Sequence, residues 1–161
     1  MGYGYELKCK KCGREKPIFL GIGFRYPRVC ATILEEMKDG KFGKRFMEDA
    51  KNTPFAAVHQ ERAIFICDNC GKWRSDEVID LCAPIGEPEQ HNGRFCVAIE
   101  YPDGIPYVMT SDIGRKYRII RSKQHRCSKC RHKLRLIRKN EKLRCPECSE
   151  LLKRVDEFNW D

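Results

Sequence analysis

Apolar and polar positions alternate at the start of the chain, where Tyr3, Tyr5 and Leu7 interleave with Gly4, Glu6 and Lys8. A period of two predicts a half-buried strand. The run Ala63-Ile64-Phe65-Ile66 predicts a second. Between them the period lengthens to that of a helix, with Ile33, Leu34 and Met37 on one face and Phe42, Phe46, Met47 and Ala50 on another. Asp39-Gly40 and Gly43 break or kink this stretch. Residues 83–93, rich in Pro, Gly and Glu, read as a linker. Beyond it Phe95, Val97, Ile99 and Tyr101 alternate with polar or small residues, and Tyr101-Pro102-Asp103-Gly104 carries turn chemistry. Strands over 105–110 and 115–121 complete a β-meander. Further on, Leu134 and Leu136 alternate with Lys133 and Arg135, the polar run 138–141 turns the chain, 142–144 returns it, and 151–160 can add a third strand. The pattern predicts an α+β, β-rich protein.

A third of the 161 residues are charged, 34%, so apolar area is limited for the length. Thin cores commonly need staples, and cysteine supplies candidates. Of eleven cysteines, eight form four Cys-x-x-Cys pairs: Cys9/Cys12, Cys67/Cys70, Cys127/Cys130 and Cys145/Cys148. Two intervening residues let a tight turn aim both sulfurs at one ion, and four sulfurs arranged tetrahedrally suit zinc or a single iron. A thioredoxin-like redox motif needs one pair, whereas this chain has four. An odd cysteine total fits a disulfide framework poorly, the N-terminal residues lack a signal-peptide core, and no stretch reaches membrane-spanning length. The expected compartment is the cytoplasm, and the metals are expected to be structural.

Pairing neighbours along the sequence assigns Cys9, Cys12, Cys67 and Cys70 to one site and Cys127, Cys130, Cys145 and Cys148 to another; pairing across the halves is possible but less economical. The second set resembles a zinc ribbon, in which two cysteine knuckles at hairpin ends clamp one zinc. Pro146 suits its turn. Gly13 and Gly71 follow their knuckles as in rubredoxins and zinc ribbons, but Arg131 and Ser149 stand where such knuckles usually carry Gly. The resemblance covers 3–12 with 62–71, and 125–160, and the whole chain is similar to bacterial zinc-ribbon proteins of unassigned activity. It implies two Zn²⁺ and two zinc-ribbon-like units joined by the meander: a ribbon with a helical insertion over 1–82, a linker over 83–93, and the meander plus a second ribbon over 94–161. An iron-loaded, rubredoxin-like electron carrier is the less favoured alternative.

Charge changes the picture once more. The formal net charge is +9, which two four-thiolate zinc sites, each about −2, would bring to roughly +5. Residues 115–144 hold fourteen Lys and Arg against one acid, Glu141, while residues 1–85 hold fifteen against twelve. So dense a run could follow a phosphate backbone through Arg115, Lys116, Arg118, Arg121, Arg135, Arg138 and Lys139. Strand alternation sets Arg135 opposite Leu134 and Leu136, on the solvent face. Basic residues beside knuckles also stabilise thiolates, so the competing partner is a protein, with the chain acting as an adaptor or inhibitor.

Tyr3, Tyr5, Phe19 and Phe24 are read as core residues rather than base-stacking platforms. Cys30, Cys82 and Cys96 lie outside the pairs and are read as buried small hydrophobes, and His59 and His91 as packing or surface residues rather than ligands of a third site. Gly21-Ile22-Gly23 lacks a full phosphate-loop pattern and reads as a tight loop. No nucleophile motif or His-Glu-x-x-His is present, so the chain is expected to be neither an enzyme nor a binder of small-molecule substrates.

Overall fold

A computed structural model describes residues 2–23, 26–86 and 107–160, with backbone alone for 26–28. The predicted strand at 95–101, the turn after it, Phe24, His91 and Cys96 lie outside the described residues. The chain splits into two units, and neither is contiguous. Unit one is Met1–Phe24, Glu61–Glu77 and Gln124–Asp161; unit two is Arg25–Gln60 and Val78–Lys123. This replaces the serial division into 1–82 and 94–161. The physical reason is that strands β3 (Ala57–Ile66) and β4 (Trp73–Pro84) are long enough for one half of each to serve each unit. Ala83 and Pro84 accordingly belong to β4 rather than to a linker.

Unit one is built around β1 (Gly2–Cys9), which is hydrogen-bonded on both sides. On one side lies β2 (Glu15–Leu20), an edge strand whose position tolerates Pro17. On the other lies β7 (Leu152–Trp160), antiparallel in a register of eight pairs from Gly2↔Trp160 to Cys9↔Leu152. A bulge interrupts the ladder after Tyr5, where Asp156 is the extra residue and takes a φ of 38°. The predicted third strand at 151–160 therefore exists, but its partner is the N-terminal strand. The expected hairpin between 133–136 and 142–144 does not form. Instead β6 (Arg135–Leu136) pairs with Phe65 and Ile66 of β3, and Leu143 accepts from the Leu152 N–H. Leu7, Ile18, Leu20, Ile64, Trp73 and Leu143 form the core beneath.

Aromatic rings cover the outer part of the β1 ladder. Phe158 and Trp160 both meet Phe19 edge-on, at 5.4 and 5.7 Å between centroids, and the Trp160 indole N–H lies 3.0 Å from the carbonyls of Tyr3 and Leu20. These rings need the glycines at 2 and 4. A Cβ on Gly4 would sit 2.4 Å from the Phe158 ring and 2.6 Å from the Ile18 carbonyl oxygen.

In unit two, helices α1 (Tyr26–Lys38) and α2 (Lys44–Asn52) realise the helical stretch, separated by Gly40 and Gly43 at positive φ. Cys30, Ile33, Leu34, Met37, Phe46 and Ala50 pack with Val58, Ile79 and Leu81. Strand β5 (Tyr117–Ser122) pairs with β4 and realises the strand predicted at 115–121. The segment before it departs from expectation: Val108 bonds Val58, and Thr110–Asp112 then turns into a 3₁₀ helix. The strand order β5-β4-β3-β6 and the two helices make the described chain α+β and β-rich.

The Gly4→Ala variant tests the aromatic cover. Overpacking against a backbone oxygen cannot be relieved by a rotamer, so stability in chemical denaturation should fall by about 1–3 kcal/mol; an unchanged midpoint would refute the packing described.

Candidate metal centres

Each Cys-x-x-Cys pair sits at the tip of its own small hairpin, and the four tips share one geometry. The N–H of Gly13 bonds the Cys9 carbonyl at 3.0 Å, and the equivalent bonds run from Gly71 to Cys67 at 2.8 Å, Arg131 to Cys127 at 3.0 Å and Ser149 to Cys145 at 2.9 Å. Each hairpin is then closed by the first cysteine's N–H, which donates to the carbonyl of Arg14, Lys72, His132 or Glu150. The residue after the second sulfur must turn into the left-handed region. Gly13 and Gly71 do so at φ 71° and 68°, and Arg131 and Ser149 follow at 63° and 60°. The departure from glycine at these two positions thus changes no geometry; it adds strain.

The knuckles pair in nested order. Cys9, Cys12, Cys145 and Cys148 form one cluster and Cys67, Cys70, Cys127 and Cys130 the other, with the sulfurs of each set within 4.8 Å of one another. This corrects the assignment of Cys67 and Cys70 to the first site and of Cys127 and Cys130 to the last. Cys12 and Cys145 are 133 positions apart, against 57 for Cys70 and Cys127. Proximity along the chain is a weak constraint, since each doubling of a flexible loop costs only about 0.6 kcal/mol. Strand pairing decides instead. The β1–β7 ladder delivers the first knuckle to the fourth, and Phe65 and Ile66 against β6 deliver the second to the third.

Sulfur separations of 3.4 to 3.6 Å join neighbouring knuckles. A disulfide would need about 2.05 Å. A regular tetrahedron of metal–sulfur bonds near 2.3 Å has an edge of about 3.8 Å, which these clusters approach with little adjustment. Both sets therefore fit a four-coordinate ion, and both clusters lie in unit one. In each, the first cysteine is buried and the second is more exposed.

Electrostatics prepares the sulfurs for a cation. The Cys12 N–H is the largest influence on Cys9, whose thiol is lowered to about 7, and the His132 N–H lowers Cys130 to about 5. Cys127 and Cys145 are also lowered, chiefly by the N–H groups of Cys130 and Cys148. Cys148 is pushed up to about 12: the Glu150 N–H lowers it, but desolvation and the hydrogen bonds shared with Cys9, Cys145 and Cys12 outweigh that. The N–H groups of the knuckle turns thus favour the thiolate at four of the sulfurs, and a bound cation would favour it at all of them.

Ion pairs brace the knuckles of both clusters. Arg14 reaches Glu147 at 3.2 Å, linking the first knuckle to the fourth. Arg135 is the centre of the second set. Its guanidinium lies 2.7 to 2.9 Å from both Asp68 oxygens and 2.8 Å from both Glu141 oxygens. The pair with Arg135 is the main cause that holds the Glu141 carboxyl down to about 2. Asp68 lies within the second knuckle, so this network fastens it to the 138–141 turn. The expectation that Arg135 faces solvent beside Leu134 and Leu136 is corrected: Leu134 is buried, Leu136 is exposed, and the guanidinium is already saturated. Sequence reasoning missed the network, although Glu141 as the one acid among fourteen bases was its signal.

The other candidate phosphate contacts divide similarly. Arg115 pairs with Asp112 and Arg121 with Asp49, and Lys116 is engaged as well. Arg118, Arg138 and Lys139 are exposed and make no ion pair among the described residues.

Cys30 and Cys82 are buried, and burial pushes both thiols up to about 12. Neither joins a third metal cluster among the described residues. His59 is buried, with Asp80 3.1 Å from Nδ1 and Thr110 3.2 Å from Nε2.

Paired replacements test the nested order. Cys9→Ser with Cys145→Ser should leave one metal per chain in elemental analysis, because both changes fall in one cluster. Cys9→Ser with Cys67→Ser should leave none; the opposite result would restore serial pairing. Separately, Arg131→Gly or Ser149→Gly should raise thermal stability of the metal-loaded protein by about 1 kcal/mol each by relieving left-handed strain, whereas Gly13→Ala should lower it by a similar amount. No protein-family model, no curated protein and no solved structure matches the chain.

Proposed function

We propose that the chain is a non-catalytic, cytoplasmic zinc protein of two zinc-ribbon-like modules, whose metals are structural and whose free cations bind nucleic acid. The observation that carries the metal part is the pair of all-sulfur, four-member clusters. A closed tetrathiolate site leaves no position for a substrate, in contrast to catalytic zinc sites with three protein ligands and an open place. Metal binding of this type contributes folding free energy on the order of 10 kcal/mol, which suits a unit assembled from three separate segments.

For the partner, support comes from the cations that remain after internal pairing. Arg118 on β5 and Arg138 and Lys139 in the 138–141 turn are exposed with no ion pair among the described residues. Phosphate contacts by such side chains release counterions, so affinity should depend steeply on salt. Among the described residues no helix is long and apolar enough to cross a membrane.

Purified protein should contain two zinc ions per chain and show no ferric-thiolate colour; a red protein would favour the iron carrier. In fluorescence anisotropy with a labelled oligonucleotide, log affinity should fall linearly with log salt. Replacing Arg118, Arg138 and Lys139 by Gln should flatten that slope by about 0.7–0.9 for each phosphate no longer neutralised, with both metals retained. Absence of nucleic-acid binding even at low salt would overturn this reading in favour of a protein partner.

A further inference from the structure

Unit one contains a half-open cleft of about 550 Å³, between the face of β1 that carries Tyr3 and Tyr5, the start of the unit's share of β3, and the 137–143 segment. That size falls within the range of about 300–1,000 Å³ typical of sites for small organic groups. Its floor is apolar, formed by Leu7, Leu20, Ile64 and Leu143 of the unit's core. Its walls are cationic: Arg62, Arg138, Lys139, Lys142 and Arg154 face two acids, Glu61 and Glu141. Glu141 is already neutralised by Arg135, accepting from both Nη1 and Nη2 of its guanidinium. Arg154 pairs with Glu157 and lies over the Tyr5 ring at 4.0 Å, while Arg62 lies over Trp160 at 5.1 Å. Arg62, Arg138, Lys139 and Lys142 make no ion pair among the described residues. Tyr3 contradicts its expected place in the core, since it is 51% exposed at the mouth of the cleft.

We propose that this cleft binds single-stranded nucleic acid, a base stacking on Tyr3 above the apolar floor while Arg62, Arg138, Lys139 and Lys142 hold the flanking phosphates. The assignment rests on the nucleic-acid reading above and narrows it to one site and one form of the polymer. Charge complementarity selects an anion, and the exposed ring beside an apolar floor selects one that offers a flat apolar face. A duplex presents phosphates but keeps its base faces stacked; an unpaired strand presents both. Sequence preference should be slight, because stacking is available to every base.

The test uses the full zinc-loaded chain and a fluorescein-labelled single-stranded oligonucleotide of about a dozen residues. Tyr3→Ala should weaken binding about tenfold or more with an unaltered salt slope and unaltered zinc content, and Tyr3→Phe should restore it. R138Q with K139Q should weaken binding and flatten the slope. Ultraviolet crosslinking of the unmodified protein should place the oligonucleotide on peptides containing Tyr3 or residues 138–142, a readout independent of whether any variant folds. If the oligonucleotide binds but Tyr3→Ala is silent and crosslinks fall elsewhere, the cleft proposal fails while the broader reading stands. If neither single strand nor duplex binds, the broader reading fails and the cleft with it. Tighter binding of duplex, equal binding of a mononucleotide, or displacement of the strand by dodecanoate at low concentration would each overturn the single-strand assignment.

Discussion

The antiparallel pairing of the first strand with the last is the constraint on which unit one depends. Its register sets Cys9 opposite Leu152 and so brings the knuckle after β1 alongside the knuckle before β7. A slip of one residue would turn every side chain of β7 to the other face and would withdraw the rings of Phe158 and Trp160 from the glycines they cover. The bulge at Asp156 keeps Leu152 and Phe158 on their proper sides although an extra residue intervenes. A metal at the first cluster would lock this register, because the four sulfurs converge only when the ladder is aligned.

Charge and fold are linked through the same ladder. The excess of Lys and Arg looks from composition like a binding surface, but ion pairs use part of it within the fold. Arg14 joins two knuckles through Glu147, and Arg135 joins the second knuckle to the turn before the fourth through Asp68 and Glu141. Bidentate carboxylate contacts of this kind have a fixed planar geometry that a lysine could not reproduce. Trp73 adds a tie between the two hairpin sets, its indole N–H lying 2.7 Å from the Arg144 carbonyl. Among the cations left over are Arg118 on β5 and Arg138, Lys139 and Lys142 in the 137–143 segment, where the proposed contacts with nucleic acid lie.

Much of this was legible in the residues. Periodicity located β1, the approach to the second knuckle, both helices with their glycine breaks, β5 and β7, because each buries one face and so must repeat at its own period. The eight cysteines of the two clusters were legible as candidate metal ligands from type and spacing, since a two-residue gap fixes the local turn whatever surrounds it. Even the strain at Arg131 and Ser149 was marked by the missing glycines.

Tertiary structure alone decided which knuckles meet, which cations are free and where Tyr3 lies. Four equivalent knuckles can be joined in more than one way, and the loop-closure difference between them is too small to choose; hydrogen-bonded strand partners, set by side-chain fit over eight residue pairs, make the choice. Alternation placed Arg135 on a polar face, yet only the approach of Asp68 and Glu141 from elsewhere in the chain neutralised its guanidinium. The sequence determines local conformation and ligand chemistry because both depend on near neighbours. Pairing, neutralisation and exposure depend on residues distant along the chain, and so they exist only once it has folded.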